Sequence, residues 1–148
     1  MFRKFFLYMA VGGLALSLTA ACSKKAPVSS GEVKTETVAN LKTIHFDFDQ
    51  YNIRDDAVPV MKDNASWLKS NADSKIIVQG NCDERGTNEY NMALGERRAN
   101  AGKDYLVNLG VSTDRISTVS YGEEHPVDPA HNEAAWAQNR RDDFVVRK

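Results

Sequence analysis

The 148-residue sequence predicts an α/β domain, one sheet with helices packed on a face. Two observations carry that prediction. Segments whose apolar residues alternate at every second position are interleaved with segments in which they return every three or four. The chain is also short and carries neither an internal repeat nor a low-complexity tract, so one domain plus appendages is expected. Thr43 to Phe48 reads as the first strand, with Ile44, Phe46 and Phe48 on one face. A helix follows from about Asp56 to Ser70, its apolar stripe formed by Val58, Met61, Ala65 and Leu68. Pro59 falls in its first turn, where a missing N–H costs least. Lys75 to Gln79 is the second strand, and Gly80 to Gly86 a polar loop. Thr87 caps a long helix that runs to about Leu109 and stops at Gly110, with Tyr90, Leu94, Ala101, Tyr105 and Leu109 as its expected core stripe. Ile116 to Tyr121 forms a third strand, Glu133 to Gln138 a short helix, and Phe144 to Arg147 the last strand.

The first 21 residues do not belong to this pattern. Arg3 and Lys4 precede an apolar stretch from Phe5 to Leu18, then Thr19-Ala20-Ala21-Cys22. That stretch is shorter than the ~20 residues of a spanning helix, and Gly12, Gly13 and Ser17 weaken it further, which favours a cleaved signal peptide. Leu18 to Cys22 resembles the lipobox of bacterial lipoproteins, with Thr19 where that group more often has Leu. The resemblance implies cleavage before Cys22 and acylation of its thiol and amine. Each buried acyl CH₂ contributes ~0.8 kcal/mol, and stable anchoring needs more than one chain. Ser23, rather than Asp, after the cysteine implies passage to the outer membrane. Residues 22–40 then read as a lipid-anchored tether, polar and short of large apolar side chains. A flexible chain from Ser23 to Asn40 would span roughly 20–25 Å, and about 60 Å if pulled straight.

A formal net charge of -1 gives no electrostatic case for a nucleic-acid partner. With Cys82 the only cysteine besides Cys22, neither a disulfide framework nor cysteine metal spacing is available, and Cys82 is expected to be a small packed residue at a strand end. His45, His125 and His131 are scattered, and no Gly-x-Ser-x-Gly elbow or His-Glu-x-x-His pair exists, so no cofactor and no enzyme are expected. Asp47 and Asp49 would share a strand face as a carboxylate pair, but solvated or capping groups are the commoner reading at a strand end.

The densest chemistry lies between Gly80 and Ala99. Asn91, Leu94 and Arg98 share a helix face, which sets Arg98 at the edge of the apolar stripe. A guanidinium there needs an anionic partner. Asp83 in the preceding loop is the nearest acidic candidate. Two readings stay open at this point: an internal Asp83–Arg98 salt bridge, or both charges facing a cleft that holds a zwitterion.

From Thr43 onward the chain resembles the OmpA-like domain family, and within it the peptidoglycan-associated lipoproteins. The resemblance is carried by Phe46-Asp47-Phe48-Asp49, Gly80 with Asp83 to Thr87, Tyr90-Asn91 with Leu94 to Asn100, Val119 to Gly122, the Glu124-x-Pro126 turn and Asn139-Arg140-Arg141. It implies a βαβαβ-type α+β two-layer sandwich over residues 41–148, with a mixed sheet. It implies a periplasm-facing binding protein that grips peptidoglycan of the diaminopimelate type and works with proteins of the Tol envelope system. By that resemblance Asp83 takes the ammonium of diaminopimelate, Arg98 its carboxylate as a bidentate pair, backbone N–H groups around Phe48 and Asp49 complete the carboxylate's bonds, and Leu94 packs the stem. Asn91 and Arg85 shape or line the pocket. Asn81 departs from the family's usual His, which bears on affinity. Asp142-Asp143 depart from small or apolar residues, which bears on packing alone. A wall-acting hydrolase and a protein-binding adaptor are the alternative readings.

Overall fold

The computed structural model describes residues 41–147 and the backbone of Thr35–Glu36, all within one unit. The signal segment, Cys22 and nearly all of the expected tether lie outside the described residues. Within that tether, however, Thr35–Glu36 is a short strand, β1. The chain continues through β2 (Ile44–His45), α1 (Val58–Ser70), β3 (Lys75–Asn81), α2 (Asn88–Asn108), β4 (Ile116–Gly122), α3 (Glu133–Asn139) and β5 (Arg141–Arg147). Single 3-10 turns, Asp55–Ala57 and Thr113–Arg115, lead into α1 and β4.

The sheet runs β1–β5–β3–β4, and β2 also pairs with β5. Thr35 lies opposite Arg147 while Ile44 lies opposite Asp142, so β1 and β2 share one edge of β5 at its two ends. β3 is antiparallel to β5 and parallel to β4. The mixed sheet expected from the sequence is therefore present, and α2 supplies the crossover that a parallel pair requires. Side chains of α1, α2 and the sheet meet in one core around Phe46, Met61, Leu68, Ile76, Leu106 and Phe144.

Thr87 caps α2 as its position suggested, accepting from the Tyr90 N–H at 3.2 Å. The helix stops in a Schellman arrangement. Gly110, at φ +91°, donates to the Val107 carbonyl, and Val111 to that of Leu106.

Three expectations are corrected. The first strand is only two residues long, and Phe48, 54% exposed, does not continue the face of Ile44 and Phe46. Alternation ends because the chain turns at Asp47, whose carbonyl accepts from the Gln50 N–H, with Asp49 at φ +58°. The strand of Phe144 begins earlier, at Arg141, which buries Asp142 in the sheet. The buried face of α2 is Asn91, Leu94, Gly95, Arg98, Ala99, Gly102 and Leu106, so of the stripe read from the sequence only Leu94 is fully buried. The cause is how closely the helix lies on the sheet. A Cβ on Gly95 would stand 2.9 Å from the Gly80 carbonyl oxygen, and one on Gly80 only 1.9 Å from that of Gly95. The centre of this interface has room for glycine and alanine, and the larger apolar residues move to its flanks.

Candidate ligand-binding site

Close approach of α2 to β3 decides where the chemistry goes. Between Gly80 and Asn81 the β3–β4 register slips by one residue. Such an irregularity re-aims the strand end, and Cys82 and Asp83 lead off into the β3–α2 loop. Opposite them stands the turn after β2. All seven residues singled out from the sequence (Phe48, Asp49, Asp83, Arg85, Asn91, Leu94 and Arg98) line one cavity of about 190 Å³, together with Cys82, Gly86 and Tyr90.

Arg98 is fully buried, at the centre of the α2 interface rather than its edge. Its Nε donates to the Gln50 carbonyl at 2.8 Å, Nη1 to that of Asn81 at 2.9 Å and Nη2 to that of Asp47 at 3.1 Å. A further Nη1 contact reaches the Cys82 Sγ at 3.5 Å, and the guanidinium sits 5.0 Å from the Phe46 ring centroid. Of the five N–H donors of a guanidinium, three are thus committed to oxygen. Burial lowers its pKa from the ordinary arginine value. Among the described residues no carboxylate lies within 4.0 Å of it. The internal Asp83–Arg98 salt bridge is absent, and Arg98 instead ties the turn after β2 to the end of β3.

Asp83 pairs elsewhere. Its Oδ1 accepts from the Arg85 N–H and Nε at 3.0 and 3.1 Å, and its Oδ2 from Arg85 Nη2 at 2.7 Å and Arg140 Nη1 at 3.1 Å. Burial alone would raise this carboxyl, but the arginine hydrogen bonds outweigh it and hold the pKa below the usual carboxylate range. The Arg85 guanidinium lies between the Phe48 and Trp136 rings, 3.9 and 4.2 Å from their centroids, and reaches Glu133 at 3.4 Å. Arg140, at the junction of α3 and β5, also donates to the Phe46 carbonyl at 3.0 Å and to Glu133 at 2.8 Å. It braces both walls of the cavity. Asn91 donates to the Asp83 and Arg85 carbonyls at 3.2 Å, fixing the β3–α2 loop from beneath.

Asp49 and Asp47 do not act as a carboxylate pair. Asp49 accepts from the Tyr90 hydroxyl, and Asp47 pairs with Arg54 at 3.1 Å. Cys82 is buried as expected. Its thiol donates to the Asn91 carbonyl at 3.3 Å, and burial pushes its pKa up to about 11. His131 contacts Glu84 and His125 stacks on Tyr121, both outside the cavity. Among the described residues no group of three or more His, Cys, Asp or Glu converges as metal ligands, and no helix is long and apolar enough to cross a membrane.

Sequence reading missed Tyr90 as a cavity wall because it had been placed in the core stripe. It gave no role to Arg140 or Trp136, whose approach depends on how α3 returns to the sheet. Asp142 was the least anticipated. It is fully buried, neither carboxyl oxygen has a hydrogen-bond partner, and burial drives its pKa well above the ordinary value against the attraction of Arg98. Its effect is not confined to packing, since its charge would act on Arg98.

Residues 45–140 match the OmpA family. A peptidoglycan-associated lipoprotein of Pasteurella multocida is 41% identical over 144 residues, covering 94% of this chain and 96% of that protein. Its counterpart in Haemophilus influenzae is 42% identical over 148 residues with the same coverage. The crystal structure of the peptidoglycan-associated lipoprotein from Burkholderia pseudomallei superposes with a TM-score of 0.69 at 47% identity, covering 71% of this chain and 89% of that one. The OmpA-like domain of FopA1 from Francisella tularensis shares the fold at 22% identity, with a TM-score of 0.64 over 72% of each chain.

Proposed function

The chain belongs to the OmpA family, in its peptidoglycan-associated lipoprotein branch, and from that premise we propose that it binds the diaminopimelate of peptidoglycan stems non-covalently in the Asp83–Arg98 cavity. The observation that carries this reading is Arg98: a buried cation on a cavity wall, with no carboxylate beside it and, of its five N–H donors, one bound only to the Cys82 sulfur and one without a partner among the described residues. Those two donors suit a carboxylate. Backbone N–H groups near Phe48 and Asp49 add to them, while Leu94 and the Phe48 ring offer apolar wall to the aliphatic chain. The ligand's ammonium takes the place at Asp83 that Arg85 holds here, and the Arg85 guanidinium shifts toward Glu133, its existing second partner. Lysine-type stems lack the second carboxylate and leave Arg98 unanswered.

In this reading the protein is a binding module rather than an enzyme. An acylated Cys22 anchors it in the outer membrane, facing the periplasm, and the part of residues 22–40 that precedes β1 gives it reach toward the wall. Proteins of the Tol system are the partners implied by its family, in cell-envelope upkeep and division. Labelled sacculi test the core of this. The full chain should co-sediment with diaminopimelate-type sacculi, not with lysine-type ones, and release no soluble label. Equal retention on both removes the proposed recognition, and release of fragments favours a hydrolase.

A further inference from the structure

α2 carries two consecutive arginines with opposite surroundings. Arg98 is buried, whereas Arg97, about 100° around the helix, is exposed. The Arg97 guanidinium lies 5.8 Å from the ring centroids of both Tyr51 and Tyr90. Among the described residues no carboxylate lies within 4.0 Å of it. Both tyrosines are 46% exposed. Two large rings in water, flanking an unpaired cation, offer apolar cover and one positive charge to the same ligand. Tyr90 joins this strip to the cavity, because its ring lines the cavity while its hydroxyl donates to Asp49, which holds the ring in place. A chain leaving the cavity past Tyr90 meets Arg97 within about one ring's width.

We propose that Tyr51, Arg97 and Tyr90 form a second subsite, which takes the free carboxylate of the stem residue preceding the diamino acid. The proposal rests on the reading of the cavity given above. In stems of this type the diamino acid is joined to the side-chain carboxyl of a glutamate, so that glutamate's α-carboxylate stays free a few bonds from the group in the cavity. A neutral or cationic segment at that position would find no partner on the strip. An acidic one finds a guanidinium whose planar fork matches it.

The test is a calorimetric titration of the full chain with two synthetic tripeptides, alanyl-γ-glutamyl-diaminopimelate and the same peptide with the glutamate α-carboxylate amidated. The wild type should bind the free acid about three- to fivefold tighter, the upper range for a partly exposed ion pair. Arg97→Gln should bind both peptides as the wild type binds the amide, and Arg97→Lys should recover part of the difference. Arg97 donates no hydrogen bond among the described residues, so the thermal midpoint of Arg97→Gln should match the wild type. Equal wild-type affinity for the two peptides overturns the subsite while leaving the cavity intact, as does a preference that survives in Arg97→Gln. A strip used by a protein partner would give that same blind result. Failure of the wild type to bind either peptide overturns the cavity reading, and the subsite with it.

Discussion

Replacing Asp142 by alanine should stabilise the protein, against the usual direction for a substitution at a fully buried position. The side chain sits in β5 between Ile44 and Gly80, with one oxygen 2.8 Å from where a Cβ on Gly102 would stand. Neither oxygen has a hydrogen-bond partner. A buried polar group left unsatisfied costs about 1–3 kcal/mol, and truncation to alanine removes that cost while leaving a void of only a few atoms. The net gain at neutral pH is expected at about 1–2 kcal/mol. A pH dependence follows from the raised folded-state pKa of this carboxyl. Its contribution is fully present below the ordinary value of 3.8, where folded and unfolded chains are both protonated, and is lost as pH rises toward the folded-state value. Asp142→Asn, close in shape but unable to ionise, should therefore match the wild type near the acid end and exceed it increasingly toward neutrality. Urea unfolding followed by circular dichroism, at several pH values from about 3.5 to 7.5, reads both effects. If Asp142→Ala instead lost about 2 kcal/mol or more, Asp142 would be an ionised counter-charge to Arg98, and the account of Arg98 as a cation awaiting an external carboxylate would fail.

Four further outcomes are expected. Arg98→Lys should lose most of the bonds to the Asp47, Gln50 and Asn81 carbonyls, costing about 2–4 kcal/mol in urea unfolding and removing sacculus binding in the folded fraction. Thr87→Ala should cost about 1 kcal/mol through loss of the α2 cap, read as a lowered thermal midpoint. Gly95→Ala would place a Cβ 2.3 Å from the Ser120 Oγ and 2.9 Å from the Gly80 carbonyl, and overpacking of this kind costs about 1–3 kcal/mol or more in the same assay. Native Cys82, its thiol pKa pushed to about 11, should resist iodoacetamide near pH 8 when labelling is read on the Cys82 peptide, and react once the chain is unfolded.

Much of the fold was legible because local patterns and tertiary structure agree. Thr87 and Gly110 bracket α2, and Lys75 to Gln79 and Ile116 to Tyr121 lie within the parallel pair β3 and β4. Asp83, Asn91, Leu94 and Arg98 were also legible together, since the β3–α2 loop and the first half of α2 hold them, whereas Phe48, Asp49 and Arg85 were reached through the family resemblance. What periodicity could not show was the distance between layers. Gly80 and Gly95 bring α2 so close to β3 that Arg98, which the pattern put at an edge, becomes central and takes its partners from the backbone. Spacing offered an Asp83–Arg98 pair as one of two readings, whereas Arg140, 57 positions from Asp83 in sequence, reaches the same carboxylate from the junction of α3 and β5. Alternation put Phe48 on the strand face of Ile44 and Phe46 because it assumes a continuing strand, and a turn with one left-handed residue takes it off that face to the cavity.

The central claim is that Arg98 and Asp83 recognise a carboxylate and an ammonium on the same carbon. Displacement of bound protein from sacculi by free small molecules tests it most directly. Free meso-diaminopimelate should release the protein at concentrations where Nα-acetyl-lysine amide, which keeps the aliphatic chain and its terminal ammonium but carries no carboxylate, releases none. Release by Nα-acetyl-lysine amide at the same concentration would contradict the account, because the guanidinium of Arg98 would then have no part in choosing the ligand.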